Sequence, residues 1–117
     1  MTTPQTPPDN PPAVADAILS AKWSLQILRA LLHGPARFSG IRASIPAISA
    51  NILAGRLRTL EEAGIIHRTT LPPPADCQVY ALTDLGAAVR PVLRAIDLWG
   101  SLFPRGQAQP GDGEPQR

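Results

Sequence analysis

Asn51 and Arg58 stand seven residues apart in the run S-A-N-I-L-A-G-R-L-R-T-L, which is two turns of an α-helix, so a helical segment would present both on one side. A carboxamide donates and accepts at once and matches the exposed edge of adenine. A guanidinium fork matches guanine, and each such pair supplies about 1–3 kcal/mol of discrimination in a DNA major groove. Around these two lie Arg37, Ser39, Ser49, Arg56, Arg68 and Thr69. Hydroxyls near helix starts and guanidinium groups on helix flanks suit phosphate oxygens rather than bases. The chemistry implied is hydrogen bonding to a duplex, with no bond made or broken.

Catalytic and metal chemistry find little support in the same residues. His67, Asp76 and Cys77 are close in sequence, but a short exposed hairpin offers no pocket that excludes water. The single cysteine cannot close an internal disulfide, and the two histidines lie far apart, without metal-ligand spacing. No glycine-rich phosphate loop or internal repeat is present. An enzyme is not expected, and neither is a cofactor.

The elements that would position the polar residues follow from caps and stops. In R-F-S-G-I-R-A-S-I-P, Ser39 is a candidate N-cap for a helix over about 40–45, with Ile41 and Ile45 on one face and Pro46 as the stop. After Pro46-Ala47-Ile48, Ser49 can cap a second helix at about 50–63, and Ile48 and Leu53 can form a hydrophobic staple across its start. Leu53, Leu57 and Leu60 then face inward and Gly64 ends the helix, leaving Asn51, Gly55, Arg58 and Thr59 on the opposite side. Arg56 projects from the flank. Ile65 to Leu71 and Cys77 to Leu82 are β-rich and bracket Pro72-Pro73-Pro74-Ala75-Asp76, which predicts a hairpin with an irregular tip.

Helices are expected on both sides of this unit. Trp23, Ile27, Leu28, Leu31 and Leu32 recur at helical spacing before the stop His33-Gly34-Pro35. Thr83 can cap a helix whose apolar side carries Val89, Val92, Leu93, Ile96, Leu98 and Trp99, with a bend where Pro91 removes an amide. The fold class is α+β, mainly α: a winged helix-turn-helix with a two-stranded wing and additional N- and C-terminal helices. Trp99, Leu102 and Phe103 exceed what one small core requires, so burial against the same helix and Ala13–Leu19 of a second copy predicts a homodimer; the alternative is that Trp99 and Phe103 fold back on Trp23 within one chain.

Composition leaves room for one domain in the 117 residues. Residues 1–12 hold five prolines and residues 104–117 hold no apolar side chain larger than alanine; both ends are expected to be disordered tails around a domain at 13–103. That domain has nine Lys/Arg and six Asp/Glu, and five of the arginines fall between Arg37 and Arg68. The excess fits a phosphate-facing patch. No apolar run is long enough for a membrane helix, and the N-terminus has no signal-peptide pattern, so membrane partnership is not expected and a cytoplasmic location is.

Several blocks then carry a resemblance to a family. Lys22-Trp23, Gly34-Pro35 with Arg37-Phe38-Ser39, Arg56-Leu57-Arg58 with Leu60-Glu61, and Tyr80-Ala81-Leu82-Thr83 with Leu85-Gly86 fall in order, and over about residues 10–100 the chain resembles the HxlR-type bacterial transcriptional regulators. The resemblance implies a homodimer joined through its N- and C-terminal helices, with one winged domain reading each half of an operator. Where relatives carry a lysine and long polar side chains on the reading helix, this chain has Asn51, Ala54 and Gly55. Some relatives sense electrophiles through a cysteine ahead of the first helix; Asn10-Pro11 occupies that place here. The wing tip lacks Lys and Arg, so wing anchoring would rest on Arg68 with Thr69 or Thr70.

Three functions compete on these residues. The leading one is a DNA-binding transcriptional regulator, a homodimeric repressor reading an imperfect palindrome of double-stranded operator DNA. A winged-helix module that binds another regulator instead of DNA is the alternative. The third adds a small-molecule effector of unspecified chemistry at the dimer interface.

Overall fold

The computed structural model of the chain describes residues 10 to 104. The element order is α1 (Pro11–Ser20), α2 (Ser24–Leu32), α3 (Phe38–Ser44), α4 (Ala50–Glu62), β1 (Ile66–Thr70), β2 (Gln78–Leu82), α5 (Asp84–Ala87) and α6 (Arg90–Gly100). β1 and β2 form one antiparallel ribbon with Ile66 opposite Leu82 and Thr70 opposite Gln78. The order helix, turn, helix, ribbon between 38 and 82 is the expected winged helix-turn-helix.

The core is where α2, α3, α4 and the base of the ribbon meet. Ile27, Leu31, Ile41, Ile45, Ile48, Leu53, Leu57, Leu60 and Ile66 form one buried cluster, flanked by Trp23, Phe38, Tyr80 and Leu82. Each apolar side chain fully buried there is worth about 1.5–3 kcal/mol relative to exposure. The cluster takes one stripe from each helix, which is why Leu53, Leu57 and Leu60 recur at helical spacing.

Both ends of α4 are fixed by local chemistry. Ser49 Oγ accepts the amide of Ile52 at 3.2 Å, and Ile48 and Leu53 are both buried across the helix start, as a staple requires. At the far end Gly64 takes φ +79°, the Ile65 amide donates to the Leu60 carbonyl at 2.9 Å, and the Gly64 amide to Glu61 at 3.0 Å. This is a Schellman closure, and the left-handed residue it needs is a glycine. Thr83 caps α5 by accepting the Gly86 amide at 3.1 Å, while its own hydroxyl lies 2.6 Å from the Gly64 carbonyl. One side chain thus joins the end of α4 to the start of α5.

Four expectations are corrected. The cap of α3 is Arg37, in extended conformation and without a side-chain cap bond; Ser39 lies inside the first turn. The reason is tertiary: Ala36 pairs with Tyr80 through N–H···O bonds of 3.0 and 2.8 Å, holding the chain extended until Phe38. Trp23 lies just before α2, at φ +79°, rather than within it. The expected bent helix is two helices, α5 and α6, with Pro91 in the first turn of the second, where its missing amide costs nothing. Lastly, α1 begins at Pro11, capped by Asn10, whose side chain accepts from the Ala13 amide at 3.4 Å. Pro11 and Pro12 therefore belong to a helix; residues 1–9 and 105–117 of the two expected tails lie outside the described residues.

Candidate nucleic-acid interface

The side of α4 opposite its buried leucines is open. Asn51, Arg58 and Thr59 are exposed and Gly55 is half-exposed, while Leu53, Leu57 and Leu60 are at most 1% exposed. The two sets are separated by the helix itself, so the polar side chains are presented by a helix whose opposite face is locked into the core. Neither Asn51 nor Arg58 has a side-chain hydrogen bond or ion pair among the described residues. Ser49 spends an acceptor lone pair on its cap and keeps its hydroxyl proton for donation.

Arg37, Arg56 and Arg68 are each tied into the scaffold through a single nitrogen. Arg37 Nε donates to Cys77 Sγ at 3.3 Å, linking the start of α3 to the wing. Arg56 Nε donates to the Lys22 carbonyl at 2.8 Å and so holds the tight α1–α2 joint, where Trp23 adopts its positive φ. Arg68 Nε pairs with Glu61 Oε2 at 3.2 Å. The pleat explains that last contact: Ile66 and Arg68 alternate onto the same face of the ribbon, and Ile66 is buried in the cluster that α4 helps to form. A guanidinium has five N–H donors, so each arginine fixed at Nε keeps four for other acceptors. Thr69 is exposed on the other face of β1.

Two features escaped the sequence reading. Ile52, next to Asn51, is 43% exposed, an apolar side chain of the kind that meets a thymine methyl. Its signal was an isoleucine off the inward stripe. Ser39 and Arg42, one turn apart on α3, line a single open groove of about 420 Å³ with Phe38, Ala43 and Pro46. The sequence reading left Arg42 out of the interface because nothing local distinguished it from a solvated charge. Cys77 is half-buried beside Arg37. Among the described residues no cluster of three or more His, Cys, Asp or Glu could hold a metal ion, and no helix is long and apolar enough to cross a membrane.

A core-anchored outward helix, a preceding short helix and a two-stranded ribbon define a winged helix-turn-helix transcriptional regulator. Comparison with known proteins makes the assignment specific: the sequence profile of the HxlR-like helix-turn-helix matches residues 18–107, and the chain belongs to that family. It is 36% identical to the HTH-type transcriptional regulator YodB of Bacillus subtilis over 84% of each chain. It is 39% identical to YvaP of the same organism, an uncharacterized HTH-type regulator, over 72% of this chain and 78% of that one. The solved structure of reduced YodB superposes with a TM-score of 0.73 at 32% identity, covering 90% of this chain and 97% of that one. The redox regulator HypR in its reduced form gives 0.69 at 27% identity, over 79% and 91%. The curated relatives named here are both HTH-type transcriptional regulators.

Proposed function

We propose that this chain is a homodimeric repressor that reads an imperfect palindrome in double-stranded operator DNA with α4. The observation that carries the reading is the division of α4 into a buried leucine stripe and an outward side bearing Asn51 and Arg58 with no intramolecular partners among the described residues. Asn51 and Arg58 read base edges; Ser49, Ser39 and the arginines 37, 56 and 68, with Thr69, hold phosphates and set the register. Such a protein acts in the cytoplasm, on the nucleoid.

Dimerisation is supported by the apolar surface at the end of the chain. Leu98, Trp99 and Leu102 are 69%, 64% and 73% exposed, and Leu85 and Phe103 are exposed as well. Trp99 and Phe103 stack edge to face at 5.1 Å, forming an aromatic knob. An apolar groove of about 220 Å³, lined in part by Ile18, Leu19, Leu85 and Val92, runs between α1 and the α5–α6 region. Burial of both against a second copy pairs two α4 helices about one helical turn of DNA apart, and the half-sites follow that spacing.

The test is a fluorescence-anisotropy titration against the gene's own upstream DNA and a scrambled duplex at several salt concentrations. Selective binding that weakens steeply with salt, and that loses its selectivity in the Asn51→Ala, Arg58→Ala double variant, is the expected result. Undiminished selectivity in the double variant would move the reading surface off α4. Equal weak binding to both duplexes would refute autoregulation by this chain.

A further inference from the structure

Away from α4, a second cluster of positive charge surrounds an open cavity of about 380 Å³ between α2 and α6. Arg29 and His33 lie one turn apart at the end of α2, and Arg90, Arg94 and Asp97 lie on one face of α6. The half-buried Leu32 supplies an apolar surface between the two rows, with the buried Leu93 at its floor. Asp97 is the single carboxylate facing three arginines, and it is committed to Arg29 at 2.9 Å. Arg90 and Arg94 have no ion pair among the described residues. The His33 Nδ1 lies 3.0 Å from the Arg29 carbonyl, which can only accept, so Nδ1 carries the proton.

This arrangement opposes ordinary helix electrostatics. Arginines four apart on a helix repel. Arg90 also occupies the first turn of α6, the positive end of the helix dipole, and that turn holds no acidic residue. Two unpaired cations four apart on α6, the first of them at the positive end of the helix, lie across the cavity from the Arg29–Asp97 pair, and an anion between them relieves their repulsion. The region lies on the α2–α6 side and shares no residue with the proposed DNA-reading set.

We propose that this cavity binds a small organic anion, its carboxylate held by Arg90 and Arg94 and its hydrocarbon part resting on Leu32. Asp97 is the built-in competitor, since it already neutralises Arg29 and repels an incoming carboxylate. The bound anion bridges α2, which belongs to the core of the reading unit, and α6, which carries the exposed aromatic knob. It thereby biases the angle between the reading unit and the dimer contact, and with it operator affinity. This coupling rests on the operator-binding reading above; the anion site does not.

Hexanoate is the probe, with 1-hexanol as its uncharged counterpart and inorganic phosphate as the anion without an apolar body, all at constant ionic strength. Binding to the full chain is followed by melting temperature and by titration calorimetry without DNA. The expected result is saturable binding of hexanoate, with hexanol and phosphate each bound at least about tenfold more weakly. Arg94→Ala should weaken hexanoate about tenfold or more, the loss of one charge-assisted contact. Asp97→Asn should strengthen it by about two- to fivefold, a gain that damage to the fold would not produce. Equal binding of hexanol, equal binding of phosphate, or Arg94→Ala without effect would each overturn the site. Hexanoate binding with operator affinity unchanged would overturn the coupling, whereas failure to bind operator with or without hexanoate would count against the DNA reading instead.

Discussion

Replacing Gly55 by alanine separates folding from DNA reading in one substitution. Gly55 is the sixth residue of the 13-residue α4, and a Cβ built there meets no atom within 4 Å. Its φ is not in the left-handed range, so alanine fits without strain. Glycine within a helix costs about 1 kcal/mol relative to alanine. Gly55→Ala should therefore stabilise the free protein by about 0.5–1 kcal/mol, raising Tm by about 4–8 °C per kcal/mol for a domain of this size. The same methyl group stands between Asn51 and Arg58 on the proposed reading side, where a duplex must approach closely. Operator affinity should fall about tenfold, equivalent to about 1.4 kcal/mol, while stability rises. Urea denaturation followed by circular dichroism measures the first effect and anisotropy the second. A stabler variant with unchanged operator affinity would refute the close approach at Gly55. A less stable one would refute the open surroundings on which the argument is built.

Further substitutions test other parts of the structure. Gly86→Ala should destabilise by about 2–3 kcal/mol or more in the same denaturation assay, because its Cβ would overlap the backbone carbonyl of Ile65, and backbone cannot move aside as a flexible side chain can. Arg68→Ala should change stability by no more than about 1 kcal/mol, since its pair with Glu61 is partly exposed. The same variant should reduce the salt dependence of operator binding by the equivalent of about one phosphate contact; an unaltered slope removes Arg68 from the interface. Trp99→Glu should convert the proposed dimer to a monomer in light scattering coupled to size exclusion, with the fold retained because Trp99 is largely exposed within one chain. A dimer that survives the charge places the contact elsewhere.

The sequence by itself determined the elements whose signals are local. Ser49, Gly64 and Thr83 act through backbone groups within a few residues, so the bounds of α4 and the start of α5 were legible from residue type and spacing. The stripe of Leu53, Leu57 and Leu60 needed only the helical period, and from it the outward side of α4 followed. Tertiary structure decided what depends on partners distant in the chain. The cap of α3 moved from Ser39 to Arg37 because Ala36 joins Tyr80, 44 positions along the chain. The lone nitrogen contacts of Arg37 and Arg56 likewise reach Cys77 and Lys22, 40 and 34 positions away in the chain. The α2–α6 cavity was invisible for the same reason: Arg29 and Asp97 are 68 residues apart. Periodicity specifies which face of a helix turns inward, but only packing specifies which other helix it meets. A charge cluster assembled from two helices therefore has no signature in either one alone.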